Sequence, residues 1–381
     1  MADTINDSKK NTIVVEALSD YDDEVLQSPA KCLSKGGLVA FPTETVYGLG
    51  ADGLNPEASK KIYAAKGRPS DNPLIVHIAE VDALEKLAYP NDMAYTLAQA
   101  FWPGPLTMVL PKKDIVPKET TGGLDTVAIR MPSHPAALSL IRHSGVYVAA
   151  PSANISGRPS PTKASHVIED MDGRIDYIID GGDVGIGIES TIVDLTSDIP
   201  TILRPGYITK KMLEDMVGEV IIDPALEKPL EMAAAGVHPK APGMKYTHYA
   251  PKGELTLVEK GSINVMSENA GANENVVNKS SFEVVEKIKE LAKSKQKEGF
   301  KVGIMAPEES FNEYVGFADT VICVGNRTKQ ATVAAGLYAA LREFDDNDVE
   351  YIYAESFREG ELSYAIMNRL LKAAGQRVIR V

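Results

Sequence analysis

Residues 66–78 read KGRPSDNPLIVHI: two cations two residues apart, a proline-bearing turn, then a short apolar strand ending at a histidine. The spacing predicts a helix that carries Lys66 and stops at Pro69, since the residue before a proline is driven out of helical backbone. Lys66 and Arg68 then enter a loop where a polyanion, phosphate first, can reach both. Alone, K-x-R is a weak signal that a surface turn with two solvated charges meets equally well.

The same alternation extends outward in both directions. From Asn11 to about Asp223 the runs TIVVEA, GLVAFP, LIVHIA, LTMVLP, TVAIRMP, VYVAAP, DYIIDGG, STIVDLT and TILRP are β-type and alternate with helical patterns. This predicts one α/β domain built on a large, twisted, open mixed sheet. FPTET, APSAN and RPGY fall beyond strand ends, where a rigid α/β scaffold displays chemistry. From Pro224 to Pro251 five prolines interrupt the chain and no long element is legible. A linker of this length is disordered or functional, and the aromatic and imidazole groups in APGMKYTHYAP (241–251) predict that it packs on something. After Gly253 short apolar strands (ELTLVEK, KVGIMAP, TVICVG, VEYIYAE) alternate with helices over 282–297, 328–344 and 361–374. That is the pattern of a smaller, parallel, Rossmann-like sheet. In the 328–344 helix Ala334, Leu337, Tyr338, Leu341 and Phe344 form one core-facing stripe. The expected division is a catalytic domain 1–223, a linker or lid 224–252 and a C-terminal domain 253–381.

Composition narrows the function. The 381 residues carry a formal charge of −13, with 19 basic against 27 acidic residues through position 210 and 21 against 26 after it. Neither half is a basic module, so a broad nucleic-acid-binding surface is not expected. Cys32 and Cys323 are the only cysteines, too far apart in sequence to indicate a zinc site or a disulfide framework. The first residues lack the apolar stretch of a signal peptide and no run is long enough to span a bilayer. The expectation is a cytoplasmic protein without membrane association.

Several motifs accompany the opening segment. FPTETVYGLGADG (41–53) puts Thr43 and Thr45 just past a buried strand, and Gly48 and Gly50 permit close backbone approach. GLDTVAIRMPSHP (123–135) sets Thr126 and Arg130 on one face of a strand. There Arg130 either forks onto a carboxylate or sits in a structural ion pair. APSANISGRPSPT (150–162) strings Ser152, Asn154, Ser156, Ser160 and Thr162 along one loop, short polar groups suited to phosphate oxygens or metal-bound water. Ser160 or Thr162 is also placed to cap the helix that follows. Ser190 begins a strand, Arg204 precedes a turn, and His77 reads as an ordinary histidine at a strand end. GGDVGIGIES (181–190) lacks the Gly-Lys-Ser/Thr of a P-loop and reads as a glycine-rich turn. With no G-x-S-x-G elbow and no metal-ligand histidine spacing, nucleophilic and zinc hydrolases drop out. A cavity rich in Lys, Arg, Ser, Thr and Asn suits nucleotidyl transfer, where catalysis is positioning and charge neutralisation around phosphate.

Taken together, KGRPSDNPL, FPTETVYGLGAD, WPGPLT, VAIRMPSHP, APSANISGRPSPT, ESTIVDLT, LRPG and APGMKYTHYAP resemble the two-domain L-threonylcarbamoyladenylate synthases, the YrdC-like nucleotidyltransferases of tRNA modification. The C-terminal domain matches mainly in layout and in SYAIMNR (363–369). The resemblance implies condensation of L-threonine, bicarbonate or CO₂, and ATP into threonylcarbamoyl-AMP with release of pyrophosphate. It further implies that a separate transferase uses the product on tRNA. Carried over, Thr45, His77, Arg130, Ala150 through its backbone and Ser190 surround the threonine. Arg68, Asn72, Thr126, Ser152, Ser160, Arg204 and the linker's Tyr246 contact ATP. Lys66 and Asn154 face phosphate or metal-bound water, Lys66 and Arg68 offset its charge, and Mg²⁺ arrives with the nucleotide rather than on protein ligands. Two other readings compete. One is a carbamoyl-adenylate-forming domain of the hydrogenase-maturation type, whose cysteine-rich zinc modules two distant cysteines do not supply. The other is a non-catalytic RNA-binding or regulatory module, which the acidic balance disfavours.

Overall fold

The strand ending at His77 lies in the middle of an eleven-stranded sheet. In the computed structural model, which describes residues 11–18, 23–226, 249–261 and 274–381 (side chains from 282 in the last stretch), these strands are β1 (Ile13–Glu16), β2 (Val39–Phe41), β3 (Gly48–Asp52), β4 (Ile75–His77), β5 (Leu106–Pro111), β6 (Thr126–Arg130), β7 (Val148–Ala150), β8 (Tyr177–Asp180), β9 (Thr191–Asp194), β10 (Thr201–Arg204) and β11 (Ile221–Ile222). Their order is β1-β8-β2-β3-β7-β4-β6-β5-β9-β10-β11. The sheet is mixed: β4 runs parallel to β6 and antiparallel to β7, and β5 is antiparallel to β6 but parallel to β9.

Each of the nine β-type runs read in this part of the sequence contains one of these strands. Two strands were not legible, β3 and the two-residue β11. β3 is GLGAD, and glycine is depleted in strands. Here it is required, because a Cβ on Gly50 would stand 2.7 Å from Val148 Cγ1 and 2.9 Å from Phe41 Cε1. Among the described residues, four buried apolar clusters pack within this sheet and against its helices.

The helix Pro56–Lys66 forms as its ends dictate. Asn55 accepts from the N–H groups of Glu57 (3.0 Å) and Ala58 (3.2 Å), Pro56 opens the first turn, and Gly67 closes the helix in left-handed backbone at φ 62°. The helix therefore stops at Gly67 and not at Pro69. The helix Ala164–Met171 corrects a second expectation: its cap is Lys163, with no side-chain capping bond from Ser160 or Thr162.

The chain divides into two compact units, 1–156 with 160–246, and 157–159 with 247–381. The second unit holds β12 (Glu254–Glu259), β13 (Val302–Pro307), β14 (Thr320–Gly325), β15 (Tyr351–Glu355) and β16 (Val378–Arg380) in the order β14-β13-β15-β12-β16, every pair parallel. The first four match the runs read from sequence; β16, three residues near the chain end, was missed. The connecting helices are Glu274–Lys297, Glu308–Tyr314, Gln330–Asp346 and Ser363–Ala373. Ala334, Leu337, Tyr338, Leu341 and Phe344 are all buried. Tyr249, at the end of the proline-rich segment, packs on Tyr338 with ring centroids 5.1 Å apart; Tyr246 and the rest of 227–248 lie outside the described residues. Among the described residues no helix is long and apolar enough to cross a membrane.

Candidate active site

Arg130 is the last residue of β6, and the sheet register sets His77 of β4 on one side of it and Thr107 of β5 on the other. Residues paired across neighbouring strands share a face, so three polar side chains project together from the sheet. Arg130 is buried. Its Nε donates to the Gly104 carbonyl at 3.4 Å and its Nη1 to Thr45 Oγ1 at 3.0 Å. Its Nη2 stands 2.8 Å from Glu44 Oε1, while Glu44 Oε2 accepts the Ser133 N–H at 3.1 Å. Thr45 Oγ1 also pairs with Thr43 Oγ1 at 2.9 Å. The sequence left Arg130 between a carboxylate fork and an internal ion pair; without ligand, the ion pair is present.

The glycine-rich turn 181–190 has a task here. Ile186 N–H donates to the Glu44 carbonyl (2.9 Å) and Gly187 N–H to that of Thr45 (3.1 Å), which pins both residues against Arg130.

His77 is buried, with Nδ1 3.0 Å from the Ile75 carbonyl oxygen. Burial first, and the Arg130 charge second, hold its pKa at about 3 against the ordinary 6.5. It is therefore a neutral imidazole beside a guanidinium at physiological pH.

On β9's side, Ser190 Oγ pairs with Thr107 Oγ1 at 2.8 Å, and Arg204 clamps Ser190 through Nε to its carbonyl and Nη2 to its Oγ, both at 3.1 Å. The LRPG turn approaches this segment closely. A Cβ on Gly206 would lie 2.4 Å from Thr191 N and 2.7 Å from the Glu189 oxygen, so only glycine fits without displacement. Glu189 in turn accepts from Ser160 Oγ at 2.6 Å.

The loop 150–162 leaves β7 at Ala150 and is stitched to β3: Leu49 N–H donates to the Pro151 carbonyl and Ala153 N–H to that of Tyr47, each at 2.8 Å. Lys66, 2% exposed, reaches beneath this loop, where its amine donates to the carbonyls of Ser152 and Asn154, the latter at 2.5 Å. Ser152 Oγ donates to Asn154 Oδ1 at 2.5 Å. Lys66 thus stands under the loop as a buried strut, not in an open loop as the sequence predicts. Arg68 Nη2 donates to the carbonyls of Asn72 (3.3 Å) and Pro73 (3.2 Å), tightening its own turn. Asn72 is buried, and Thr126 sits half-buried at the start of the strand that Arg130 ends.

Sequence reasoning passed over Glu44, Thr107 and Glu189. All three lie inside quoted motifs, FPTET, WPGPLT and ESTIVDLT, but what Thr107 and Glu189 touch depends on strand register and on the fold of the 160–190 loops. Among the described residues no group of three or more His, Cys, Asp or Glu could hold a metal ion. The arrangement offers a guanidinium with hydroxyls for a small polar anion and a cation-backed Ser/Asn loop.

A family model described as telomere recombination (Sua5, YciO and YrdC) matches residues 31–206, and one described as threonylcarbamoyl-AMP synthase, C-terminal domain, matches 208–375. The Bacillus subtilis threonylcarbamoyl-AMP synthase is 50% identical over 369 residues, which span 96% of this chain and 97% of that one. The chain belongs to the threonylcarbamoyl-AMP synthase family. The Pyrococcus abyssi synthase is 46% identical over 97% of this chain and all of its own length. The structure of P. abyssi Sua5 complexed with L-threonine superposes with a TM-score of 0.85 at 45% identity, covering 97% of this chain and 100% of that one. Membership of the synthase family thus spans both units.

Proposed function

We propose that this protein condenses L-threonine, bicarbonate or CO₂, and ATP into L-threonylcarbamoyl-AMP with release of pyrophosphate, the first step of threonylcarbamoyladenosine formation on tRNA. The observation that carries the reading is Arg130, buried between His77, Thr107 and Thr45 at the end of a central strand, in a chain 50% identical to a threonylcarbamoyl-AMP synthase.

Arg130 takes the threonine carboxylate, with Thr45, neutral His77, Ser190 and the Ala150 backbone around the rest of the amino acid. Buried hydroxyl partners favour threonine over valine, because valine would leave them unpaired. The ammonium loses a proton, and the free amine adds to CO₂ and releases a second proton to give a carbamate, whose oxygen attacks the α-phosphorus in line; the α–β bridging bond breaks and pyrophosphate leaves. Arg68, Asn72, Thr126, Ser152, Ser160, Arg204 and Tyr246 hold the nucleotide. Lys66 places its charge beneath the Ser152–Asn154 loop, and with Arg68 it offsets charge on the phosphates. Mg²⁺ would arrive with ATP and neutralise phosphate charge, and Ser152 and Asn154 would offer the neutral oxygens that suit a hydrated hard cation. Residues 1–223 act as the catalytic domain, 224–252 as a lid and 253–381 as the accompanying domain, in the cytoplasm. The product passes to a separate tRNA transferase.

Pyrophosphate release with ATP, bicarbonate and each amino acid in turn tests this. The expected result is dependence on L-threonine; release indifferent to threonine overturns it.

A further inference from the structure

Glu44 and Arg130 are in contact without being hydrogen-bonded. The 2.8 Å approach of Glu44 Oε1 to Arg130 Nη2 is misaligned. Both atoms are buried and neither has a hydrogen-bond partner among the described residues. Leaving a buried charged donor and a buried charged acceptor unsatisfied side by side is costly, and the surrounding bonds show that it is imposed. Glu44 is held by Ser133 N–H on its Oε2 and by Ile186 N–H on its carbonyl. Arg130 is held by Gly104 and Thr45. Those bonds set the orientation in which the two groups meet.

What completes such a pair is a molecule that presents an acceptor to Nη2 and a donor to Oε1 at once. A simple carboxylate supplies only the first, and would add a negative charge to a buried pair that is already neutral. An α-amino acid zwitterion supplies both and leaves the cluster neutral.

We propose that Glu44 receives the α-ammonium group of the amino-acid substrate while Arg130 receives its α-carboxylate. The inference rests on the threonine reading of this site and adds the residue that distinguishes an amino acid from a hydroxy acid of the same shape. Glu44 is on this account a specificity residue that touches substrate, not merely a support for Arg130.

Calorimetric titration of the full chain with L-threonine and with its deaminated counterpart, 2,3-dihydroxybutanoate of matching stereochemistry, tests this. The wild type is expected to bind threonine about 10- to 100-fold more tightly than the deaminated acid, as a charged hydrogen bond implies. Glu44→Gln, which keeps shape and an acceptor oxygen but removes the charge, should erase most of that preference, with the deaminated acid bound no more weakly than by the wild type. Equal loss of both ligands would reduce Glu44 to a support for Arg130 and overturn the proposal. So would a wild type with no preference, a comparison that needs no variant to fold. Threonine affinity that survives Arg130→Ala would instead strike the carboxylate reading underneath, and the Glu44 assignment would fall with it.

Discussion

Among the described residues, two of the arginine–glutamate pairs at strand ends, one in each unit, are built in opposite ways. In the second unit, Glu355 at the end of β15 is bonded at both carboxylate oxygens. Arg327 Nη2 donates to its Oε2 at 2.6 Å, Tyr314 OH to its Oε1 at 2.9 Å, and Ser310 Oγ bonds the same oxygen. Arg327 also donates through Nη1 to the Ser356 carbonyl at 2.7 Å and lies over the Phe357 ring at 4.9 Å. In the first unit, Glu44 and Arg130 meet at 2.8 Å with Oε1 and Nη2 both unaligned. The difference separates a staple from a receptor. An ion pair whose carboxylate is bonded at both oxygens holds a fold together, whereas one with a donor and an acceptor left over is shaped for a third party.

The sharpest break comes from Arg130→Ala. Losing a fork onto a carboxylate removes charge-assisted bonds of about 1.5–3 kcal/mol each, so kcat/KM for threonine should fall by at least about 100-fold in steady-state assays. Arg130→Lys should recover little, since a point charge does not replace the fork.

Glu355→Ala should reverse the pattern. Removing one partner of a buried pair costs about 3–5 kcal/mol. The Arg327 side chain is 34% exposed, and its access to water reduces the expected loss to about 2–3 kcal/mol. Hydrogen exchange across β13, β15 and β12 would register it, with threonine affinity unchanged.

The smallest effect is a pH dependence. His77 titrates near 3 in the folded chain against 6.5 ordinarily, so the unfolded chain takes up the proton first. Stability is present above pH 6.5 and falls as pH drops from there toward 3, by about 1 kcal/mol per pH unit from this group. Thermal unfolding between pH 7 and pH 4.5 should show the slope, and His77→Gln should flatten it.

Much of this molecule was legible in its sequence. The β-branched runs named nine strands of the first sheet, and Asn55, Pro56 and Gly67 fix one helix by capping chemistry alone. What stayed hidden has physical causes. β3 is glycine-rich because Val148 and Phe41 leave no room for a side chain at Gly50. Lys66 reads as a surface cation, yet the carbonyls of Ser152 and Asn154, some 86 to 88 positions away, draw it into the interior. Thr107 and Arg130 became neighbours only through the register of β5 with β6. Glu44 was in view within FPTET, but its part depends on alignment with Arg130, which no spacing rule encodes.

The most direct measurement sets the two pairs side by side: L-threonine affinity of the full chain by calorimetry, for Arg130→Ala and for Glu355→Ala. The account predicts that the first loses threonine binding and the second retains it. Binding retained in Arg130→Ala, or lost in a folded Glu355→Ala, would contradict the assignment of receptor and staple.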